Sequence, residues 1–340
     1  MPTQSLVLVW FAFGACAAFI AFGGVWLTRY GQVIAEKTGM GGTWVGLILL
    51  ATVTSLPELV TGVSAVTLAN APNIAVGDAL GSCVFNLAIV SVLDWLHRGE
   101  SLFDRADVGH LLSAAFGTML LAFVAFNLVL GSGPGTWAIG HVGLYTPVIV
   151  GFYVLAMWIV FSYEKRAMAQ LPGKAGAESE GMTLRRAALL YAGAALLVTV
   201  AGGVLPFVGK ALAEAYGWHA SFVGTIFVAF ATSLPELAVT ISALRIGALD
   251  MAIANLLGSN LFDVLIIAID DLFYLPGPIL SHVSPVHAAS ALTAIVMNGA
   301  VIAGLVYRPK SRVFGTVGWA SIFLLVAYVL NAYLLFVRGA

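Results

Sequence analysis

Apolar residues run along the chain in long blocks, at about 6–28, 43–69, 73–96, 108–130, 142–163, 185–207, 219–245, 250–273, 284–307 and 313–337. A helix of about twenty apolar residues crosses the hydrocarbon core of a bilayer. Each block therefore predicts one transmembrane helix, ten in all. A membrane barrel would instead show short alternating segments of about ten residues. The expected fold is an all-α polytopic membrane protein. The first block is read as a spanning helix and not a cleaved signal, because Met1–Ser5 carries no basic residue. One polar linker, 164–186, divides the chain into a first half, 1–163, and a second half, 187–340.

Composition sharpens this reading. Of 340 residues, 61% are hydrophobic and 9% charged, against roughly 25% charged in an average soluble domain. So few charges do not cover a soluble surface, and a net charge of −1 leaves no basic face for nucleic acid. With ten spans, the loops on one side hold Arg29, Lys37, Arg98, Arg105, Lys165, Arg166, Lys174, Arg185, Arg186, Arg245, Arg308, Lys310 and Arg312, thirteen of the fifteen basic residues. Only Lys210 and Arg338 fall on the other side. The positive-inside rule makes the first side cytoplasmic, the linker cytoplasmic and both termini external. Cys16 and Cys83 lie in apolar runs and read as packing residues, not a disulfide. Histidines near span ends and the eight tryptophans read as interfacial.

The chain also repeats itself. Residues 51–66, ATVTSLPELVTGVSAV, match 229–244, AFATSLPELAVTISAL, at nine of sixteen positions. The match resumes with AVGDALGSCVFN at 75–86 against AIANLLGSNLFD at 252–263. The two repeats cover about 46–94 and 224–271. They begin on spans two and seven, and an odd separation of five spans inverts the second copy. The prediction is ten transmembrane helices as two inverted-topology five-helix repeats. Such repeats typify secondary transporters, with the substrate site near the midplane between them.

Within these repeats lie polar groups that a membrane interior does not tolerate without reason. Glu58, Glu236 and Asp263 fall near span centres, and Asn86 occupies the place matching Asp263. Each charge there costs about 2.5–3.5 kcal/mol on insertion scales. No Lys or Arg is expected at that depth, which leaves protonation or a bound cation as compensation. Thr54 and Ser55 precede Glu58 within about a turn, as Thr232 and Ser233 precede Glu236; Ser82 and Ser259 stand four residues before Asn86 and Asp263. These are oxygen donors, the ligands hard cations take, and no His/Cys cluster accompanies them. Pro57 and Pro235 withhold a backbone donor and predict mid-span kinks that free carbonyls near Val53 and Ala231. Three ionised acids would be left at −1 by one Ca²⁺ and neutral by three monovalent cations, a basis for exchange.

The paired T-S-L-P-E-L and G-S-x-x-F-[ND] motifs resemble those of the calcium/cation antiporter superfamily, in its sodium/calcium exchanger family of prokaryotic type. The resemblance implies a four-helix ion-binding core from spans two, three, seven and eight, with spans one and six sliding across it. It implies Thr54, Ser55, Glu58, Ser82 and Asn86 as ligands from the first half. From the second half it implies Thr232, Ser233, Glu236, Ser259 and Asp263. The carbonyls of Ala51 and Ala229 match main-chain ligands, and Glu58 with Glu236 would bridge calcium. Departures are Val53 and Ala231 where the family has glycine, Cys83 for asparagine, and Asp78 for asparagine. Asp78 is either an additional ligand or a cap near a span end. The function implied is Na⁺/Ca²⁺ antiport in a prokaryotic plasma (inner) membrane, with H⁺/Ca²⁺ or Na⁺/H⁺ exchange as the alternative. Ca²⁺, Na⁺ and, in the alternative, H⁺ are substrates; no cofactor, nucleic acid or obligatory protein partner is expected. A channel or an intramembrane enzyme fits less well, since the serines have no base beside them.

Overall fold

The computed structural model describes residues 3–37, 52–97, 101–107, 109–130, 137–169, 182–309, 313 and 316–338. Its helices are α1 (Thr3–Lys37), α2 (Leu56–Thr67), α3 (Pro72–Leu96), α4 (His110–Leu130), α5 (Tyr145–Ala169), α6 (Leu184–Tyr216), α7 (Ala220–Thr232), α8 (Leu234–Arg245), α9 (Leu249–Phe273), α10 (His287–Tyr307) and α11 (Trp319–Arg338). Among the described residues, eight helices are long and apolar enough to cross a membrane, and the bent pair α7–α8 makes a ninth. The apolar block at 43–69 is described only from Thr52, so the start of that expected span lies outside the described residues.

Several boundaries differ from the apolar blocks. The linker is shorter than its polar composition indicates, because α5 continues to Ala169 and α6 starts at Leu184. Straight-chain and alanine residues such as Lys165, Ala167 and Met168 favour helix whether or not they are in lipid. Residues 170–181 lie outside the described set. The block at 219–245 is not one helix. It carries a π-helical stretch at Gly224–Val228 and breaks at Ser233. A two-residue-stranded hairpin, β1 (Ala138–Ile139) and β2 (Val142–Gly143), joins α4 to α5.

At the centre, α3 packs on α9, and both are mostly buried. Helix α3 also lies against α11, and α9 against α5, while α4 pairs with α10. These six helices share one apolar core containing Leu80, Leu87, Leu121, Leu257, Ile267 and Met297. Helix α1 packs along α6, apart from that core. Their contact holds its own clusters, one around Ile20, Leu205, Leu212 and Val228 and one of Leu27, Val53, Ala194 and Val198. Cys16 packs in the first of these as a free thiol.

Two buried aspartates fasten the C-terminal ends of the central helices. At the end of α3, Asp94 accepts from the backbone N–H of Leu102 at 3.1 Å, Gly318 at 2.7 Å and the Ser321 hydroxyl at 2.8 Å. At the end of α9, Asp271 accepts from Gly143 N at 2.8 Å, Ile279 N at 2.7 Å, the Tyr145 hydroxyl at 2.6 Å and the Thr146 hydroxyl at 2.5 Å. The 177-residue offset between Asn86 and Asp263 also relates Asp94 to Asp271. Each carboxylate satisfies loop donors that would otherwise be buried and unpaired.

Removing such an acceptor strands the donors, at about 1–3 kcal/mol for each buried group. Asp271→Ala is therefore expected to lower the apparent unfolding temperature in detergent by several degrees. The neighbouring Leu272→Ala, at a side chain 48% exposed, leaves it unchanged.

Candidate cation site

Helices α2 and α8 begin with the same local device. Ser55 and Ser233 sit just before them with nearly identical backbone angles, φ −87° and ψ 12° against φ −85° and ψ 10°. In each case proline follows two residues later and lacks the N–H a continuous helix would use. The helical path bends by 44° between α7 and α8. The bend turns the serine and the glutamate three residues on toward the centre of the molecule.

There the halves exchange hydrogen bonds. The Ser55 hydroxyl donates to Glu236 Oε1 at 3.2 Å, and Ser233 to Glu58 Oε1 at 3.1 Å. Ser259 adds a second donor to Glu236 Oε1 at 3.3 Å, and its oxygen is 3.4 Å from that of Thr54. The Ser82 and Ser233 oxygens are 3.0 Å apart. The single Ser233 proton therefore has two acceptors, Glu58 Oε1 and the Ser82 oxygen. Asn86 Nδ2 donates to Asp263 Oδ2 at 3.4 Å. All ten side chains expected from the sequence to surround a cation are thus buried and linked across the two halves, through Thr232 in the manner described next. Ala51 lies outside the described residues. The Ala229 carbonyl accepts from Ser233 N at 3.0 Å.

Asp78 belongs to this cluster. It lies six residues into α3, is 1% exposed, and its Oδ1 is 2.8 Å from the Thr232 hydroxyl. It does not cap a span end. The same hydroxyl is 3.1 Å and 3.2 Å from the carbonyls of Val228 and Ala229, so one proton has three acceptors. Cys83 also differs from the sequence reading. Its sulfur is 3.6 Å from the Asn260 carbonyl and 3.9 Å from Asp263 Oδ2, beside the site and not only in apolar packing. Its place one position after Ser82, where the other half has Asn260, was the available signal.

What these hydroxyl, amide and thiol donors leave unsatisfied is one oxygen on each acid. Glu58 Oε2, Glu236 Oε2, Asp78 Oδ2 and Asp263 Oδ1 are buried without a hydrogen-bond partner, as is Asn86 Oδ1. No ion pair with Lys or Arg among the described residues satisfies them. Among the described residues, no three His, Cys, Asp or Glu side chains converge as a ready metal cluster. An ion here would combine carboxylate with hydroxyl and amide oxygen, the donor set of a hard cation and not of zinc or copper.

Comparison with known proteins fixes the kinship. The family described as sodium/calcium exchanger protein matches residues 8–163 and 186–337. The chain belongs to this exchanger family. An uncharacterized membrane protein of Methanocaldococcus jannaschii is 28% identical over 245 residues, 72% of this chain and 74% of its own length. Sodium/calcium exchanger MaX1 of Methanosarcina acetivorans is 27% identical over 288 residues, covering 75% of this chain and 80% of its own. The solved sodium-calcium exchanger NCX_Mj, soaked with Na⁺ and Sr²⁺, shares the fold with a TM-score of 0.60 at 22% identity, covering 96% of this chain and 98% of that one.

In this exchanger the outer pair of helices meets the motif prolines through glycine. A Cβ on Gly24 of α1 would stand 2.3 Å from Pro235 Cγ. On α6, Gly202 lies against the Pro57 carbonyl, and its own carbonyl accepts from the Thr61 hydroxyl at 3.2 Å. Gly203 accepts from Ser64 at 2.6 Å. The sequences are Gly23-Gly24-Val25 and Gly202-Gly203-Val204, separated by nearly the offset of the T-S-L-P-E-L copies. The sequence reading missed this pair because two glycines in an apolar helix are common. Another close approach lies at Gly81, whose Cβ would be 2.4 Å from the Thr225 carbonyl in the π-helical stretch. With Gly77 it forms a small-xxx-small face that admits backbone.

Gly24→Ala is expected to push α1 from Pro235 and to slow ion flux in liposomes severely. Gly14→Ala on the same helix, where a Cβ meets nothing within 4 Å, leaves flux unchanged.

Proposed function

We propose that this exchanger is a secondary antiporter that moves Ca²⁺ against Na⁺ by alternating access. The ions bind among Glu58, Glu236, Asp263 and Asn86, with Thr54, Ser55, Ser82, Thr232, Ser233 and Ser259 as hydroxyl ligands and the Ala51 and Ala229 carbonyls completing the set. The observation that carries this reading is the buried, unpartnered oxygen on each site acid. Such oxygens are costly in a membrane interior unless a cation neutralises them. Equal reach from both halves favours a site that opens to either side by the same means. An empty charged site is costly to carry across, so one ion must replace the other.

In this reading the two halves are inverted five-helix repeats in a prokaryotic plasma membrane, with both termini external. The excess of basic residues in one set of loops supports that orientation. Helices α1 and α6 slide over the remainder, a motion favoured by their separate apolar clusters and glycine contacts. The name of MaX1 supports the ion pair. A second reading, proton coupling, is favoured by Asp78, whose Oδ2 has no partner.

Sealed liposomes loaded with Na⁺ and diluted into Na⁺-free or Na⁺-matched buffer with radioactive calcium test the proposal. Uptake is expected only with the Na⁺ gradient. Glu58→Gln and Glu236→Gln each remove a unit charge from the ion's contact. At about 4 Å and intermediate dielectric that is worth about 4 kcal/mol, so Ca²⁺ binding weakens at least about a hundredfold. Uptake driven by a pH gradient alone, and lost in Asp78→Asn, would establish the second reading instead.

A further inference from the structure

A fifth buried acid lies outside this site. Asp270 of α9 is 0% exposed, and among the described residues neither carboxylate oxygen has a hydrogen-bond partner. It stands two helical turns past Asp263, on the same face. Across from it is Gly62 of α2, one turn past Glu58. A Cβ on Gly62 would lie 2.6 Å from Oδ2 and 2.7 Å from Oδ1, so the missing side chain makes the room the carboxyl fills. Both residues are displaced from the cation site toward the C-terminal ends of α2 and α9.

Repeat symmetry does not account for it. The position matching Asp270 in the first half is Leu93, fully buried and apolar. The adjacent Asp271 points elsewhere and is fully bonded. The charged neighbours that bear on Asp270 are Asp78 on α3 and Asp271, both acidic. Of the other elements nearby, α2 and α8 carry Glu58 and Glu236 of the cation site, Tyr145 on α5 is committed to Asp271, and α4 has His110 only at its first residue. A hard cation wants about six oxygens, and among the described residues none reaches Asp270 as a hydrogen-bond partner. An ionised carboxylate there has nothing to offset its lost water, a cost the carboxylic acid avoids.

We propose that Asp270 is a proton-binding site set in the α2–α9 contact, distinct from the cation site, and that its proton lets this contact close against Gly62. The ligand is H⁺ itself. Loss of the proton places a bare charge against the Gly62 backbone and loosens α2, which carries Ser55 and Glu58. The flux readout below rests on the Na⁺/Ca²⁺ reading; the spectroscopic one does not.

Infrared difference spectra of the purified protein in lipid, recorded as pH is raised, test the site directly. A carboxylic C=O band is expected that disappears with rising pH, is missing in Asp270→Asn and persists in Glu58→Gln. In Na⁺-loaded liposomes, wild-type Ca²⁺ uptake is expected to fall about tenfold per pH unit above that band's midpoint, as the protonated fraction does. Asp270→Asn lacks this decline. Asp270→Leu, which copies Leu93, behaves alike and serves if the amide variant does not fold. A band unchanged in both variants, or a pH profile that both share with wild type, overturns the proposal. The expected band with no Na⁺-driven uptake in any protein upholds the proton site and removes the Na⁺/Ca²⁺ reading.

Discussion

This molecule is arranged around acids that have been taken out of water with no basic partner among the described residues. Glu58 and Glu236 each receive hydroxyl protons on one oxygen, and in both cases a donor comes from the opposite half of the chain. Glu58 takes its hydroxyl donor, Ser233, from the opposite half, whereas Glu236 combines Ser55 of the opposite half with Ser259 of its own. The reciprocal serine bonds join α2 to α8, and the matching backbone at Ser55 and Ser233 sets serine and glutamate of each half toward the other. The central pair α3–α9 then supplies Ser82, Asn86, Ser259 and Asp263 from behind.

Around this centre the structure separates into parts with different tolerances. The six-helix core is continuous, and its ends are fastened by Asp94 and Asp271, whose acceptors are fully used. The α1–α6 pair has its own apolar clusters and meets the core through Gly24 and Gly202 at the two prolines. Pro235 thus has two uses at one position: it lacks the N–H of a continuous helix on the site side and offers its ring to Gly24 on the other, while Gly202 rests on the Pro57 carbonyl.

Much of the fold and the site was legible in the sequence, and for a physical reason. A membrane interior penalises every polar group, so each one that remains carries information. Thr54, Ser55, Glu58 and their counterparts stood out for that reason, and the structure brings them together. Less legible were features written in residues that lipid tolerates. The double glycines of α1 and α6, the π-helical stretch at Gly224–Val228 and the approach of Gly81 to Thr225 look like ordinary apolar helix. Cys83 read as packing because a thiol is as much at home beside leucine as beside Asp263. Asp94, Asp270 and Asp271 fell near expected span ends, where acids are unremarkable. Only coordinates separate the two that are fully bonded from the one that is not.

The lengths of α1 and α6 add a consequence for the membrane itself. They contain 35 and 33 residues, and at 1.5 Å per residue each is about 50 Å long. The hydrocarbon layer is about 30 Å thick, so these helices tilt or project beyond it. A change in their tilt alters how much apolar surface lipid must cover. The thickness and stiffness of the surrounding bilayer therefore enter the energetics of this pair, and lipid composition acts as a mechanical load on the protein.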